Sequence, residues 1–403
     1  MKAYKHINLV MFFSALLFSA FGYEFIFFIM TLHIYDLSKN ALNVGIFTAL
    51  TFIPRLFSSL MGGLADKLGK RKCLMFSAVM ISILLLLMSY TADIRLIYTV
   101  WFIASIFLTF IVNVRGALMA EIVSQEKYTS GNAMVLSLLN AAKLLGPLLG
   151  GFIVSLYHTK PLIYFTCIVY LLVAVFSACI SVTGKTAESR ASFFDNAKRG
   201  FRFMFENRVF GLLASIAFFW RLFLGMQLSL FVIYIKSYLA GTSEQYGVFI
   251  TVMGIGSIAG SLLGPYAAKR VDSMRLIAAG LGLHYASFAA LGLCRNYYWT
   301  LVIIFASYMV FYMTLVGMHS VRDRITQFEI RSSAYGTVTA VLTPAAIISM
   351  LAGGYLSNRF GSAAVLSGAG LLALISLFII LYLGRNARIS LKAVQNDKAV
   401  ESV

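Results

Sequence analysis

The chain has 403 residues, 60% hydrophobic and only 12% charged, with a mean hydropathy of +0.86. Soluble globular domains carry about 25% charged residues, so the composition excludes an ordinary soluble domain and points to a polytopic membrane protein. The formal net charge of +18 would suit a nucleic-acid binder, but the basic residues sit in short loops between apolar runs, as a topology signal does. Nucleic acid is not an expected partner; the lipid bilayer is.

Apolar windows of 18 or more residues recur from end to end, each long enough to cross a hydrocarbon core of about 30 Å as a helix. Helices satisfy their own backbone groups in lipid, which open strands cannot. The start, "MKAYKHINLVMFFSALLFSA", places Lys2 and Lys5 before an apolar run that continues to about Leu32. That run is too long for a cleaved signal sequence and reads as the first span.

The expected fold class is an all-α membrane protein with twelve transmembrane helices. The first half, 1–183, holds spans at 8–34, 41–65, 73–91, 96–122, 131–157 and 161–183. A polar linker follows over 184–208, where "SFFDNAKRGFRFMFENRVF" suits either an amphipathic helix on the membrane surface, led by Phe194, Phe201 and Phe205, or a solvated connection. The second half, 209–384, holds spans at 209–240, 244–268, 275–293, 298–321, 333–357 and 362–384, and a tail runs over 385–403.

The loops after odd-numbered spans carry six basic residues: Lys39, Arg95, Lys160, Lys236, Arg295 and Arg359. Four more, Arg55, Arg115, Lys143 and Arg221, fall within spans, which leaves 23 of the 33 on the other side. By the positive-inside bias both termini are expected in the cytoplasm, and the protein in a bacterial inner membrane.

The halves repeat each other. "LMGGLADKLGKRKCL" aligns with "LLGPYAAKRVDSMRL", and "PLLGGFIVSLY" with "SMLAGGYLSNR". Repeats of this kind place a transporter's site near the membrane midplane, between two bundles that rock against each other.

Between spans 2 and 3 stands Gly62-Gly63-Leu64-Ala65-Asp66-Lys67-Leu68-Gly69-Lys70-Arg71. This spacing, G-x-L-A-D-[RK]-x-G-[RK]-[RK], resembles the loop signature of the major facilitator superfamily at every position. The resemblance implies two pseudo-symmetric six-helix bundles and a cytoplasmic gate built from Gly62, Asp66, Gly69, Lys70 and Arg71. Gly62 and Gly63 would allow a close helix approach, and Gly69 a tight reversal. The second copy keeps Gly264, Lys269 and Arg270 but has Ala268 in place of the acid.

In span 5, Gly146-Pro147 and Gly150-Gly151 resemble the GPxxGG pattern of the family's antiporter branches, which implies a seal favouring export. A structural kink without directional meaning is the other reading. Arg115, in "NVRGALMAEIV" with Glu121, sits where the family often places an arginine linked to proton coupling. That segment looks most like the branch exporting macrolide drugs and siderophores.

Ionisable groups inside spans are costly and are functional candidates by default. Counting about 1.5 Å per residue from the cytoplasmic ends puts Glu24 at roughly 22 Å, Arg221 and Lys143 at roughly 18 Å, Arg55 at roughly 16 Å and Arg115 at roughly 9 Å. By resemblance spans 1, 4, 7 and 10 line the cavity, which adds Tyr23 and His319 to these. Glu24 is the one carboxylate deep in a span, and so the candidate coupling site; a fixed salt bridge to Arg221 or Lys143 is the competing reading. Four deep cations against one acid favour an anionic solute, and nearby aromatics either hold its apolar body or simply pack helices.

Other signals carry less. "GIGSIAGSLLG" has glycine spacing near that of a dinucleotide loop but lies inside span 8, where small-residue helix packing is the natural role. The five histidines form no metal-ligand pattern and the four cysteines read as buried inert thiols, so neither metal nor cofactor is expected. No P-loop is present and no enzyme is expected. The combined expectation is a monomeric secondary transporter that exports a small amphipathic, partly anionic drug, antibiotic or siderophore by proton antiport. An uptake permease on the same scaffold and a non-transporting sensor or assembly protein are the alternatives.

Overall fold

The computed structural model describes residues 2–123, 128–157, 159–181, 201–326 and 328–383, and every regular element among them is helical. In chain order they are α1 (Lys2–Ser38), α2 (Ala41–Phe52), α3 (Ser58–Leu68), α4 (Lys70–Ser89), α5 (Ile94–Ile122), α6 (Tyr128–Leu156) and α7 (Thr159–Ala178). There follow α8 (Arg208–Ile233), α9 (Ser243–Arg270), α10 (Ser273–Leu291), α11 (Tyr297–Ile325), α12 (Phe328–Phe360) and α13 (Ser362–Leu383).

Among the described residues eleven helices are long and apolar enough to cross a membrane, and each falls on an expected span. The remaining expected span, 41–65, is not one helix. α2 stops at Phe52, a 3-10 turn covers Ile53–Phe57 with Pro54 buried near its start, and α3 begins at Ser58. Proline donates no N–H and crowds the preceding turn, so the chain tightens there. Pro147, Pro265 and Pro344 stand inside α6, α9 and α12, which continue past them.

Helix starts are set by side chains that occupy orphan N–H groups. Asn40 accepts from Leu42 N at 2.9 Å, Asp93 from Arg95 N at 2.9 Å, and Asn296 from Tyr298 N and Trp299 N. Between α3 and α4 the chain reverses at Gly69, whose φ of +91° suits a residue without Cβ.

Two compact units emerge: Met1–Glu188 with Phe231–Gly254, and Ser189–Leu230 with Ile255–Val403. In the first, α1 packs on α6 and α7, and α4 on α5 and α7. Its buried aromatic core includes Trp101, Tyr170, Phe12, Phe25 and Phe47. The start of α9 joins this unit because glycines meet there: a Cβ on Gly247 would lie 2.7 Å from the Pro147 carbonyl oxygen and 2.9 Å from Gly151 Cα. Phe28 and Tyr246 stack at 4.9 Å beside that contact.

In the second unit α10 packs on α11 and α13 around Tyr285 and Phe288. The glycines of "GIGSIAGSLLG" serve helix packing: a Cβ on Gly256 would meet the Phe305 carbonyl oxygen at 2.5 Å, and one on Gly264 would meet Val316 at 2.8 Å. In the linker, residues 201–206 are helical and Asn207 accepts from Phe210 N at 3.0 Å, while Phe194 lies outside the described residues. The cysteines depart from the expectation. Cys73 and Cys167 are buried, but Cys179 is exposed just beyond the end of α7 and Cys294 is half-buried in the turn after α10.

Candidate functional site

In the first unit the candidate residues gather on α1, α6 and the break after α2. Glu24 is half-buried on α1, and the cations whose charge reaches it are Lys143 first and Arg55 second, both with exposed side chains. Among the described residues no Lys or Arg nitrogen lies within 4 Å of its carboxylate. Glu24 thus stands in the field of two cations without being neutralised by direct contact. Arg115 is not among the charges that reach it, consistent with the difference in level of more than about 10 Å along the spans.

Arg55 is held from two sides. Its guanidinium donates to the Tyr23 hydroxyl at 2.9 Å and lies 4.2 Å over the Phe52 ring. The 3-10 turn at Pro54 is what presents Arg55 to α1. From Tyr23 an aromatic series runs through Phe27 at 5.9 Å, Phe47 at 5.9 Å and Trp101 at 4.7 Å. Trp101 ends it by donating to the Thr51 hydroxyl at 2.8 Å.

The α6 glycines explain how Lys143 comes near Glu24. A Cβ on Gly146 would sit 2.8 Å from Glu24 Cβ and 3.0 Å from the Phe25 amide nitrogen, and one on Gly150 would sit 2.8 Å from the Phe28 ring. Gly151 does the same for Gly247 on the adjacent face, so the glycines of α6 admit both α1 and the start of α9. Residues at 146 and 150 share a face of the helix, which brings Lys143, one turn earlier, beside the acid.

At the far end of this unit the α3–α4 loop is anchored to two helix ends. Lys70 forms an ion pair with Glu121 at the close of α5, and Arg71 donates to the Ala178 carbonyl at the close of α7. Asn113 adds a bond to the Ser58 carbonyl at 3.1 Å. The expected close approach at Gly62 and Gly63 is absent: among the described residues a Cβ on either would meet nothing within 4 Å. The Asp66 side chain lies outside the described residues.

The second unit carries a separate cluster. Arg221 lies 5.0 Å from the Trp220 ring, which stacks on Phe311 at 5.2 Å. Beyond it on α8, Gln227 is 1% exposed and accepts from the Tyr308 hydroxyl at 2.7 Å, while its amide nitrogen has no partner among the described residues. His284 is enclosed by Phe223, Phe288 and Phe311, with its Nδ1 2.8 Å from the Ser307 hydroxyl. His319 is not at this level: it is exposed near the end of α11, with Arg322 at 3.4 Å one turn on.

Gln227, Tyr308 and Tyr170 were not among the expected site residues. Gln227 and Tyr308 are bonded across α8 and α11, and the hydroxyl of Tyr170 is buried without a hydrogen-bond partner among the described residues, within electrostatic reach of Tyr23 and Glu24. An amide inside an apolar span was the signal for Gln227; nothing in the sequence separates Tyr170 or Tyr308 from the other tyrosines. Among the described residues no group of three or more His, Cys, Asp or Glu could hold a metal ion.

Residues 12–341 match the family model of the Major Facilitator Superfamily. No curated protein sequence matches the chain. Among solved structures it is similar to a bacterial homolog of the human lysosomal transporter Spinster, in an inward-facing, unoccupied conformation, with a TM-score of 0.77 at 12% identity over 97% of this chain and 99% of that one. It is also similar to the nucleoside transporter NupG (TM-score 0.73, 13% identity, 93% and 98% covered). A bacterial homologue of the iron transporter ferroportin, inward-facing, gives a TM-score of 0.73 at 15% identity, over 94% and 99%. At such identities the likeness concerns the fold.

Proposed function

The chain belongs to the major facilitator superfamily and is a multi-pass secondary transporter rather than an enzyme; on that premise we propose that it exports a small amphipathic, partly anionic solute by proton antiport. The observation that carries this reading is Glu24, a mid-span carboxylate in the field of Lys143 and Arg55 with neither as a direct ion-pair partner among the described residues. Low dielectric favours a neutral carboxyl, and neighbouring cations favour the charged one. A group balanced between the two can bind a proton on one side of the membrane and release it on the other.

Exposed Lys143 and Arg55 also supply positive charge that a carboxylate-bearing solute would neutralise. Tyr23, Phe27 and Phe47 offer a stacked aromatic wall for its apolar part. Arg221 over Trp220 gives the second unit a cation–ring pair of the same chemical character. Export as the direction rests on the Gly146-Pro147 and Gly150-Gly151 pattern, and the drug and siderophore class on the similarity around Arg115. We place the protein in a bacterial cytoplasmic membrane, as a monomer with both termini inside.

Accumulation of carboxylate antibiotics and siderophores in energised cells, with and without a protonophore, tests this. Deleting the gene should raise retention, and the protonophore should abolish the difference between strains. Loss of uptake in the deletion strain would favour the symporter, and lost resistance to cationic dyes alone would contradict the anionic substrate.

A further inference from the structure

The second unit contains a groove of about 380 Å³ that the transport reading does not use. Its walls come from three places: Met204 and Phe205 of the 201–206 helix, the α8 stretch from Arg208 to Phe219, and Val338, Val341 and Leu342 of α12. The helix 201–206 is fixed over α8. Phe203 meets Phe210 edge-on at 5.0 Å, and a Cβ on Gly211 would lie 2.9 Å from the Met204 carbonyl oxygen.

The groove is lined mainly by apolar side chains, with Ser215 part-way along and a cation at one end. There Arg208 is exposed and has no hydrogen bond or ion pair among the described residues, whereas neighbouring Arg202 is engaged by Glu206 at 2.7 Å outside the groove. From Arg208 to Phe219 the lining rises about 16 Å along α8. That is about half of a 30 Å hydrocarbon core, the depth of a single leaflet. Phe205 is 78% exposed at the rim, beside the open guanidinium.

We propose that this groove binds an anionic phospholipid from the leaflet facing the basic loops, with its phosphate on Arg208 and one acyl chain along Ala214, Phe218 and Leu342. A guanidinium recognises phosphate through paired, charge-assisted hydrogen bonds, and the apolar length above it matches an acyl chain within one leaflet. The site depends on the membrane-spanning fold alone, so it stands or falls independently of the proposed export.

The test uses the purified full chain incubated with vesicles of equimolar phosphatidylglycerol and phosphatidylcholine, with retained lipid counted by native mass spectrometry. The wild type should retain phosphatidylglycerol in preference. Arg208→Gln should lower that preference about tenfold, as expected for one lost charged contact, and Arg202→Gln should leave it unchanged. Ser215→Trp, which fills the groove and spares the cation, should reduce retention of both lipids. Wild-type retention in either Arg208→Gln or Ser215→Trp, or an equal loss in Arg202→Gln, would overturn the site.

Discussion

Glu24 is the residue on which the account turns, and its neighbours decide what it can do. Lys143 and Arg55 reach it from a different helix and from the break after α2. Tyr23 ties Arg55 in place at an exposed position, so Tyr23→Phe should free the guanidinium and cost only about 0.5–1 kcal/mol; a thermal melt in detergent measures this, and solute affinity should fall with it. In the gate loop, Asp66→Asn should insert normally and transport poorly, read as protein level against turnover. Normal turnover would reduce the loop to a topology signal. Glu24 was legible because one carboxylate in apolar sequence has no ordinary reason to be there. Its partners were less so: Tyr23 and Arg55 are 32 residues apart, and Lys70 finds Glu121 across 51, distances over which spacing carries no information.

At the scale of elements, proline and glycine divide the work. Pro54 breaks a span that hydropathy read as continuous, because an apolar run hides a missing backbone donor. The α6 glycines were legible as a motif, but their approach to α1 at the level of Glu24 is a tertiary contact that spacing does not encode. Gly146→Val should therefore overpack against Glu24 and Phe25, cost about 1–3 kcal/mol in stability and abolish transport. Gly63→Ala should melt at or slightly above the wild-type temperature, since no described atom opposes its methyl group and alanine is the better helix former by up to about 1 kcal/mol. A lower melting temperature in Gly63→Ala would mean that a crossing helix does pack there.

For the whole molecule, alternation of apolar runs with basic loops was enough to read the architecture. Eleven of the twelve expected spans appear as single long helices, since a membrane leaves the backbone few choices. The compact units were less legible: Phe231–Gly254 groups with the first one through glycine contacts that hydropathy cannot register. The charge bias predicts both termini on the cytoplasmic side, so reporter fusions at either end should be active only as cytoplasmic reporters. The most direct test of the central claim uses inverted membrane vesicles carrying a proton gradient, to which the solute retained by the deletion strain is added. Wild-type vesicles should lose part of the gradient as solute enters, and Glu24→Gln vesicles should hold it while still binding solute. Dissipation at the wild-type rate in Glu24→Gln would contradict Glu24 as the coupling site.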